Sequence, residues 1–570
     1  MPRTSCKVHM EFIDTTAVAD SNLSTAHDAG IGNLELVKNK AEYLSYALVD
    51  KNNFVLDGSK SALEEDAQIP FISEASADDR AFENNPVITI DFSKNHTSAG
   101  ITLYFVDDYP VEIKVTWYDL NGARIITSTY YPDSLCYFCK KQIENYGKLR
   151  IEFIGTRLPG QRVKLAYIQY GTSIEWTGGN IQSASLTEEV DVTSATIPIN
   201  TADVSILDSD NDFDLSNQNG TWRSIQKKQP LTIVESVDGN EIACGTLYLD
   251  KWKSNSNVVQ FSLIDKVGLM DKTKFYDGKI YEAEEAGAII SDIMVSAGID
   301  DYSVSDEVAN ILLTGHIAIC THREALQQVV FACGAVADST RTGGIKIYMP
   351  DRSADSTVGA DRKFMGTTIE IDDYVSGVAI TYNQYTLAAE REEIYKDILP
   401  AGETWLEFKE PFNNIEITGG TLIKTSANYA IVHMETEGEC IVSGCKYEKA
   451  EVTYTAKAKT LEAGEESNVI SYGGCTLLNI ARAKKVAERI LDYYQLRQIV
   501  NMRYLLNVER VGEWIHIRDR KNSMAVTGII SQTIDLTGGF IATATCRGYS
   551  KVVTNFAYTG EFYSGERGLI

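Results

Sequence analysis

The chain has 570 residues, enough for about four domains of the usual size, and 44% of them are hydrophobic. Lysine and arginine number 53 against 79 aspartates and glutamates, which gives a formal net charge of -26. Proteins that follow the phosphate backbone of nucleic acids carry basic surfaces, so this balance argues against that class and favours an acidic, self-repelling surface.

No segment of the sequence has the pattern of a secretion signal or a membrane span. The N-terminus, MPRTSCKVHMEFIDTT, lacks the apolar core of a signal peptide, and no run approaches ~18 uninterrupted apolar residues. Cysteines are scattered rather than grouped as in a secreted disulfide framework: Cys6, Cys136, Cys139, Cys244, Cys320, Cys333, Cys440, Cys445, Cys475 and Cys546. This distribution predicts synthesis in a reducing cytosol, and it does not prevent release after assembly.

The region 40–172 predicts an antiparallel β-sandwich. Residues 86–92, 100–105 and 111–117 alternate apolar and polar side chains as half-buried strands do. Asn121 and Gly122 then form a hairpin-turn signal, because both residues tolerate positive φ. Short alternating strands joined by turns are typical of a sandwich. The clean strand pattern predicts a module that folds on its own at the periphery of the protein.

The middle of the chain alternates between β-rich and helical stretches. Residues 173–275 contain LTIVESVDG, CGTLYLDKW and VVQFSLIDKVG, which predict a second β-domain. Within 276–350 the apolar spacing becomes that of helix faces, first at Ala286, Ile289, Ile290, Ile293, Met294 and Ala297 and then at Leu326, Val329, Val330 and Cys333. Thr321 and Glu324 stand in capping-box register before the second helix. Strands are expected again from about 368 to 458.

The C-terminal region predicts one more helix followed by strands. An apolar stripe marks a helix over roughly 476–497, at Ala483, Val486, Ala487, Ile490, Leu491 and Tyr494. EWIHIRD and a hairpin over 528–549 follow, and Gly538 and Gly539 supply turn conformations that other residues resist. Polar stretches at 57–82, 351–363 and 459–470 are the expected weak points between elements.

The motif Cys136-x-x-Cys139 is a candidate metal or redox site. A structural zinc ion needs four ligands, and the only other close cysteine pair, Cys440 and Cys445, lies some three hundred residues downstream. A redox motif should open a helix, whereas this one lies in a β-rich region. We therefore predict reduced thiols in or beside a sheet.

The acidic segment 208–220 is a candidate calcium loop. Counted from Asp208, the positions where an EF-hand has glycine and glutamate hold Phe213 and Asn219. The pattern favours a solvated, turn-rich loop over an ion site.

Known catalytic motifs are missing from the sequence. It contains no His-Glu-x-x-His, Gly-x-Ser-x-Gly or Gly-x-x-x-x-Gly-Lys, and the histidines never cluster: His9, His27, His96, His316, His322, His433 and His516. A Cys–His pair assembled in space stays an open alternative. The prediction is therefore no catalytic, cofactor-binding or metal-ligating residue. The basic run on the third helix, at Arg482, Lys484, Lys485 and Arg489, predicts a solvated or subunit-facing surface.

Four groups of segments, in chain order, carry a resemblance to a known family. They are ENNPVITIDFSKNHTSAGITLYF through KLRIEFIGTRLPGQRVKLAYIQYG; GTLYLDKWKS with FSLIDKVGLMDKTKF; THREALQQVVFACGAVADSTR; and NIARAKKVAERILDYYQLRQ with VGEWIHIRD and GIISQTIDLTGGFIATATCRGY. Together they resemble the baseplate or tail-tip hub proteins of tailed phages and phage-tail-like particles. The first group is similar to a galactose-binding-type, discoidin-like jelly roll carried by such hubs.

The resemblance implies a mainly β protein with α+β segments, built from a jelly-roll sandwich, hub-type β-barrel domains and a helical middle segment. The implied domains are an N-terminal strand or arm (1–39), the jelly roll (40–172), a first hub β-domain (173–275), an α/β middle segment (276–350), a β-rich hub domain (351–465) and a C-terminal helix with a β-domain and tail (466–570).

The resemblance also implies a structural, non-enzymatic role in a virion tail or an extracellular phage-tail-like particle assembled in the bacterial cytoplasm. Such a hub joins the tail tube to the spike and baseplate, so the implied partners are the tube, spike and wedge proteins and two further copies of the chain. In a homotrimer, two related barrels per subunit would give pseudo-sixfold symmetry. Because a channel that passes DNA must not hold it, we expect an acidic lining. Some hubs continue into a cell-wall-degrading domain, for which residues 550–570 are too few.

Two alternatives of other classes stay open. One is a carbohydrate-recognising adhesin that binds a cell-surface glycan through the jelly roll, with Tyr104, Tyr109, Tyr130 and Tyr131 as candidates to stack on a sugar ring, although burial or protein contact is the expected role of such aromatics. The other is a glycosidase with an accessory sugar-binding domain. Assembled mass with co-purifying tail proteins separates the hub from the adhesin, and turnover on polysaccharide separates it from the enzyme.

Overall fold

The computed structural model describes residues 3–30, 32–38, 70–217, 220, 222, 225, 228–255, 257–341, 343–459, 466–518 and 524–551. Strand accounts for 56% and helix for 12%, which confirms the predicted mainly β class with α+β segments. Residues 57–69 of the expected weak point 57–82, residues 460–465 of 459–470, and Asn219 lie outside the described residues.

The first half of the described chain contains fifteen strands and three short helices. Its elements are β1 (Thr4–Ile13), α1 (Thr15–Asp20), β2 (Asn22–Ala26), α2 (Leu34–Lys38), β3 (Phe71–Ile72), β4 (Val87–Phe105), β5 (Glu112–Tyr118), β6 (Arg124–Tyr130), β7 (Cys136–Ile154), β8 (Lys164–Gln169), β9 (Gly171–Trp176), β10 (Ile181–Glu189), β11 (Thr201–Leu207), β12 (Pro230–Val237), β13 (Asn240–Asn255), β14 (Val258–Ile264), α3 (Lys266–Met270) and β15 (Lys274–Phe275).

The second half contains the longer helices. Its elements are β16 (Ile280–Glu285), α4 (Ala286–Ala297), β17 (Tyr302–Val304), α5 (Asp306–Ala309), β18 (Leu312–His316), β19 (Cys320–Thr321), α6 (His322–Cys333), β20 (Val336–Asp338), β21 (Ile345–Tyr348), β22 (Ala354–Val358), β23 (Thr368–Ile371), β24 (Gly377–Leu399), β25 (Gly402–Glu407), β26 (Phe412–Thr418), β27 (Thr421–Ser426), β28 (Tyr429–Met434), β29 (Gly438–Lys457), β30 (Val469–Cys475), α7 (Ile480–Tyr494), β31 (Gln498–Leu505), β32 (Trp514–Arg518), β33 (Met524–Asp535) and β34 (Ile541–Lys551).

The first β-domain consists of β1 and β9–β14, in the spatial order β10-β11-β14-β13-β12-β1-β9. The N-terminal strand β1, within the segment expected to be a strand or arm, lies between β12 and β9 in this sheet. Ile13 pairs with Gly171, which puts the two ends of the intervening chain side by side. Gly171 has φ +129 and a Cβ there would lie 1.7 Å from the carbonyl oxygen of Phe12, so only glycine fits this crossing.

An inserted sandwich, residues 14–170, leaves the first β-domain after β1 and returns at β9. Its long strands β4 and β7 pair with each other, while β2, β5 and β6 extend one half of the sheet and β3 and β8 the other. The two halves enclose one apolar core that includes Trp117, Tyr146 and Phe153. The predicted turn at Asn121 and Gly122 joins β5 to β6, with Gly122 at φ +79.

The middle segment is the helical part of the chain. In α4 the predicted stripe is buried from Ala286 to Met294, and α6 buries Leu326, Val329, Val330 and Cys333 as predicted. The capping box of Thr321 and Glu324 is present at the start of α6. The third predicted helix, α7, spans Ile480–Tyr494 and packs its apolar stripe into the same core.

A long ribbon projects from this segment. Strands β24 and β29 pair along their lengths, and β25–β28 form a small cap at the far end with its own core. Asn428 of the cap accepts a hydrogen bond from His316 Nε2 at 2.6 Å, and Lys424 pairs with Asp277 at 2.7 Å. These contacts hold the cap against the middle segment.

The last β-domain repeats the strand order of the first. Its strands lie in the order β23-β31-β34-β33-β32-β22, which corresponds strand for strand to β10-β11-β14-β13-β12-β1. In the first β-domain β14 lies between β11 and β13, and in the last β-domain β34 lies between β31 and β33. In both, the fourth of four consecutive strands lies between the first and the third. The two orders differ in one pairing, because β22 runs parallel to β32 whereas β1 runs antiparallel to β12. The chain therefore contains an internal repeat of a six-strand unit.

Candidate functional site: the junction between the two β-domains

The two β-domains meet along β10 and β33. Residues 185–189 pair antiparallel with residues 531–535, from Ser185 opposite Asp535 to Glu189 opposite Ser531. Because β10 also pairs with β11 and β33 with β34, backbone hydrogen bonding continues from one domain into the other. One hydrophobic core extends under both domains. The C-terminal hairpin therefore joins the two repeats into one sheet.

A buried ion pair crosses this junction on the core side. Arg341, which follows β20, donates from Nε to Glu188 Oε1 at 2.8 Å and from Nη2 to Glu188 Oε2 at 3.2 Å. The two side chains are only 2% and 1% exposed. Gln532, directly opposite Glu188 on β33, donates from Nε2 to Glu188 Oε2 at 2.7 Å. The carboxylate thus connects the first β-domain, the last β-domain and the middle segment.

The hydrogen-bond network continues into the last β-domain. Tyr504 donates its hydroxyl to Gln532 Oε1 at 3.0 Å, and Arg341 also donates to the carbonyl oxygen of Glu509. Arg362 donates to Glu509 Oε1 at 2.6 Å. Both buried carboxylates therefore have a cation and a further hydrogen-bond donor, which is the condition under which proteins bury charge.

The electrostatics of Glu188 show what the network does. Burial raises the pKa of Glu188, and the guanidinium of Arg341 opposes that shift. A slip of β10 by one residue would turn Glu188 towards solvent and leave Arg341 buried without its carboxylate. The ion pair therefore penalises the wrong register. The role that the geometry supports for this site is structural: it aligns the two β-domains in one sheet.

A second buried carboxyl, Glu235 on β12, has no such partner. Its side chain is fully buried, and among the described residues no cation pairs with its carboxyl group. Burial raises the pKa of Glu235 to about 7, opposed by a hydrogen bond from the backbone of Ser5 and aided by the charge of Asp535. The folded protein therefore holds a proton on this group at acidic pH and loses it around neutral pH.

The solvent-facing side of the continuous sheet is rich in hydroxyl groups. These come from Ser183, Ser185, Thr187, Thr201, Ser205, Ser262, Ser531, Thr533, Thr543 and Thr545. The charged side chains on the same side of β10, β11, β13, β31 and β33 include Glu189, Asp203, Asp535, Lys251, Lys253 and Arg503, while Arg547 on β34 is buried against Asp372. This face is polar and carries both carboxylates and cations.

His96 fastens the inserted sandwich where it leaves the first β-domain. Its Nδ1 lies 2.8 Å from Asp14 Oδ2 and its Nε2 lies 2.9 Å from Asp20 Oδ2, and the ring is buried. Hydrogen bonds from Ser93 and His96 hold the pKa of Asp20 well below its ordinary value. Asp14, the first residue after β1, also caps α1. The cluster therefore connects the end of β1 to the inserted sandwich.

The structure places both the cysteine pair and the acidic loop among ordinary structural contacts. Cys136 and Cys139 both lie in strand β7, where Cys136 is exposed and burial raises the pKa of the Cys139 thiol well above its ordinary value.

In the acidic loop, Asp208 accepts hydrogen bonds from the backbone nitrogens of Asp212 and Phe213 at 2.9 and 2.8 Å. The Asp208 carboxylate therefore organises a turn, and Phe213 packs into the core of the first β-domain.

The basic run on α7 divides into two groups. Lys484 and Lys485 are exposed as predicted. Arg482 instead donates to the carbonyl oxygens of Ala332 and Cys333 at the end of α6, and Arg489 donates to the carbonyl oxygens of Val192 and Thr193. For these two arginines the prediction of a solvated or subunit-facing surface is wrong, because their guanidinium groups satisfy helix-end and loop carbonyls inside the subunit.

Three of the four tyrosines proposed as sugar-stacking residues have protein contacts. Tyr104 donates to Gln169 Oε1 at 2.9 Å, Arg157 lies 4.8 Å from the ring centre of Tyr109, and Tyr130 packs against Tyr137. Tyr131 is 67% exposed. The expectation of burial or protein contact therefore holds for the first three rings.

Sequence reasoning missed the residues of the junction. The pattern nevertheless contained a signal, since Glu188 falls in phase with Ala184, Leu186 and Val190, all of which are buried. A charged residue at an inward position of a strand requires a partner. Arg341 is 153 residues away, and no sequence periodicity connects it to Glu188.

No family model and no curated protein matches the sequence. The chain is similar in structure to the tail protein from Neisseria meningitidis MC58 (12% identity, 66% of this chain and 93% of that chain, TM-score 0.41) and to the prophage MuSo2 43 kDa tail protein from Shewanella oneidensis (11% identity, 65% and 94%, TM-score 0.37). It is also similar to the E. coli c3393 protein, a component of the type VI secretion system (8% identity, 65% and 74%, TM-score 0.33). None of the described helices is long and apolar enough to cross a membrane.

Proposed function

We propose that the chain is a structural hub of a phage-type tail or phage-tail-like particle, and that three copies form a ring between the tail tube and the spike and baseplate. The observation that carries the proposal is the internal repeat, in which two β-domains with one strand order share a continuous sheet. A subunit with two such domains supplies two of the six positions around a tube. The collinear resemblance of the sequence to hub proteins supplies the number three.

The solvent-facing side of the continuous sheet is the proposed channel wall. Hydroxyl groups on this side bind water, and Glu189, Asp203 and Asp535 offset Lys251, Lys253 and Arg503, so a phosphate backbone would meet no net positive charge from these residues. Such a wall lets DNA or another polyanion move through the ring. The inserted sandwich would lie on the outside, since the chain enters and leaves it at the adjacent ends of β1 and β9.

The assembled mass tests the proposal. The full chain, expressed alone and together with the tube and spike proteins of the same particle, would be measured by native mass spectrometry and imaged by electron microscopy. We expect a ring of three chains bound to one end of the tube. A stable dimer inside the particle, or a ring lined with lysine and arginine, would contradict the proposal.

The proposed role includes no hydrolytic activity of the chain itself. Zymography on purified bacterial cell walls should show no clearing with the isolated protein. Reproducible clearing that disappears on substitution of a single histidine or cysteine would favour the enzyme alternative. Glycan-array binding that depends on Tyr131 would favour the adhesin alternative.

A further inference from the structure

The internal repeat can be aligned residue by residue, because both copies contain the same irregularity. In β13 the pairing with β14 shifts between Leu249 and Lys251, and in β33 the pairing with β34 shifts between Ile529 and Ser531. Five residues follow each bulge before the hairpin turn, 251–255 in β13 and 531–535 in β33. Bulges change the strand direction at fixed places, so their coincidence sets the alignment.

The alignment extends across the neighbouring strands without a gap. Ser262 pairs with Lys251 and with Asp203, and Asp203 pairs with Ser185. In the same positions of the last β-domain, Thr545 pairs with Ser531 and with Asn501, and Asn501 pairs with Thr368. Residues 368–372 are therefore the equivalents of 185–189, and residues 251–255 are the equivalents of 531–535.

Of these equivalent segments, one pair forms a strand–strand contact within the chain, whereas the other two segments each have an unpaired outer edge among the described residues. Residues 185–189 and 531–535 pair with each other to form the junction. Strand β23 is the end strand of the sheet, and β12 covers β13 only as far as Tyr248. Within the described chain, the outer edges of 368–371 and 251–255 thus have no strand beside them. An open strand edge is a template for another strand.

We infer that residues 368–372 of one copy pair antiparallel with residues 251–255 of a second copy, in the register of the internal junction. This inference rests on the proposed assembly role and names its contact surface. The register puts Thr368 opposite Asn255, Ile369 opposite Ser254, Glu370 opposite Lys253, Ile371 opposite Trp252 and Asp372 opposite Lys251.

The side chains in this register are complementary. Ile369 and Ile371 are 61% and 67% exposed in the single chain and lie on the same side of β23, so pairing would remove their apolar surface from water. Ile371 would meet the partly buried Trp252 on the core side, where an aromatic and a β-branched residue form a favourable cross-strand pair. On the solvent side, the exposed Glu370 would meet the exposed Lys253. Asp372 already contacts Arg547 within its own subunit, which fixes the end of this strand.

The contact joins two different surfaces, so it repeats from copy to copy and closes only as a ring. Each added copy contributes one internal junction and one contact between copies. Adjacent β-domains around the ring would then be joined by the same strand pairing throughout, whether or not they belong to the same chain. The structure of one chain thereby contains the template for its own assembly.

Disulfide cross-linking tests the register. The full chain would carry Cys136→Ser, to remove the exposed native thiol, together with Glu370→Cys and Lys253→Cys. Directly opposed strand residues lie within the Cα distance that a disulfide spans. We expect mild oxidation to give covalent oligomers. The matched control, Glu370→Cys with Lys251→Cys, moves the second thiol two residues along the same face and should cross-link far less.

A charge exchange tests the same contact without cysteines. Glu370→Lys should raise the dissociation constant of the oligomer roughly tenfold, and Lys253→Glu added to it should restore assembly. Glu393→Lys, an exposed glutamate on β24, is the control and should change nothing. A chain that stays monomeric at every accessible concentration, or equal cross-linking from both cysteine pairs, overturns the inference.

The outcomes separate this inference from the proposed function. A cross-linked ring that does not bind the tail tube would support the contact and contradict the hub role. Particles that contain the chain at the tube end, but in which only the out-of-register pair cross-links, would support the hub role and overturn the contact. A ring with another number of copies would retain the contact and exclude the trimer.

Discussion

The internal junction and the two open edges use the same strand geometry with different side chains. At equivalent core-side positions, the junction has Glu188 opposite Gln532, whereas the open edges would bring Ile371 opposite Trp252. The junction forms while a single chain folds. The carboxylate of Glu188 is therefore buried together with Arg341 during folding, and not when two folded subunits associate. The open edges stay in water until assembly, and a buried ion pair there would have to be desolvated at every association. A duplicated strand can thus keep its backbone pairing, while its side chains differ according to whether the contact forms during folding or during assembly.

The largest expected effect is the loss of the cation at the junction. Arg341→Met leaves Glu188 buried without its partner, and the free energy of unfolding should fall by about 3–5 kcal/mol. Urea denaturation followed by circular dichroism measures it. Arg391→Met, which removes an exposed ion pair with Glu416, is the control and should cost less than about 1 kcal/mol. The double variant with Glu188→Met should regain much of the loss, and its failure to do so would contradict an electrostatic cause.

The unpaired carboxyl Glu235 sharpens the contrast with Glu188. Its pKa is raised from 4.5 to about 7, so the folded state binds this proton more tightly than the unfolded chain does. The resulting stability is fully present below pH 4.5 and is lost as the pH rises through 7, about 3 kcal/mol in total. Glu235→Gln should remove this pH dependence and stabilise the protein at pH 8. The exposed Glu241→Gln is the control, and an unchanged pH profile for Glu235→Gln would refute the prediction.

Substitution of the amide at the junction should have an intermediate effect. Gln532→Leu removes a donor to Glu188 and leaves the hydroxyl of Tyr504 without its acceptor, so we expect a loss of about 1–3 kcal/mol in unfolding free energy. Thr533→Val, at the neighbouring exposed position, should stay within about 0.5 kcal/mol. Equal effects of the two substitutions would show that the network adds nothing beyond the backbone pairing. Thermal or urea unfolding of the full chain gives both values.

The smallest effect on the single chain is expected at the open edge. Ile371→Ser should change the unfolding free energy of the monomer by less than about 0.5 kcal/mol, because this side chain is 67% exposed. The same substitution should weaken the oligomer, which native mass spectrometry detects. Ile398→Ser, an equally exposed isoleucine on β24, should leave both properties unchanged. Destabilisation of the monomer by Ile371→Ser would mean that the Ile371 side chain already packs within the single chain.

Local patterns in the sequence predicted the helices and many of the strands. The stripes of α4, α6 and α7, the capping box at Thr321 and the hairpin turns at Gly122 and Gly539 are found where the sequence placed them. These features depend on residues within one or two turns or on one strand pair. Nearby residues in the chain therefore suffice to specify them.

The same local reasoning misplaced the partners of polar residues. Arg482 and Arg489 lie off the apolar stripe of α7 and were expected in solvent, yet they reach carbonyl groups of distant elements. Long cationic side chains cross an apolar surface easily, so their position on a helix wheel does not fix where their charge ends. Tertiary contacts determine where the guanidinium groups of Arg482 and Arg489 lie.

By itself, the sequence determined the mainly β class, the helical middle segment and the alternation that assigns each strand a buried face, because these follow from short-range periodicity. Tertiary structure alone revealed that β1 belongs to the first β-domain, that the last β-domain repeats its strand order, and that Glu188 meets Arg341 across the junction. Strand order and ion pairing depend on residues far apart in the chain, and nothing in the period of a single strand specifies which other strand will lie beside it.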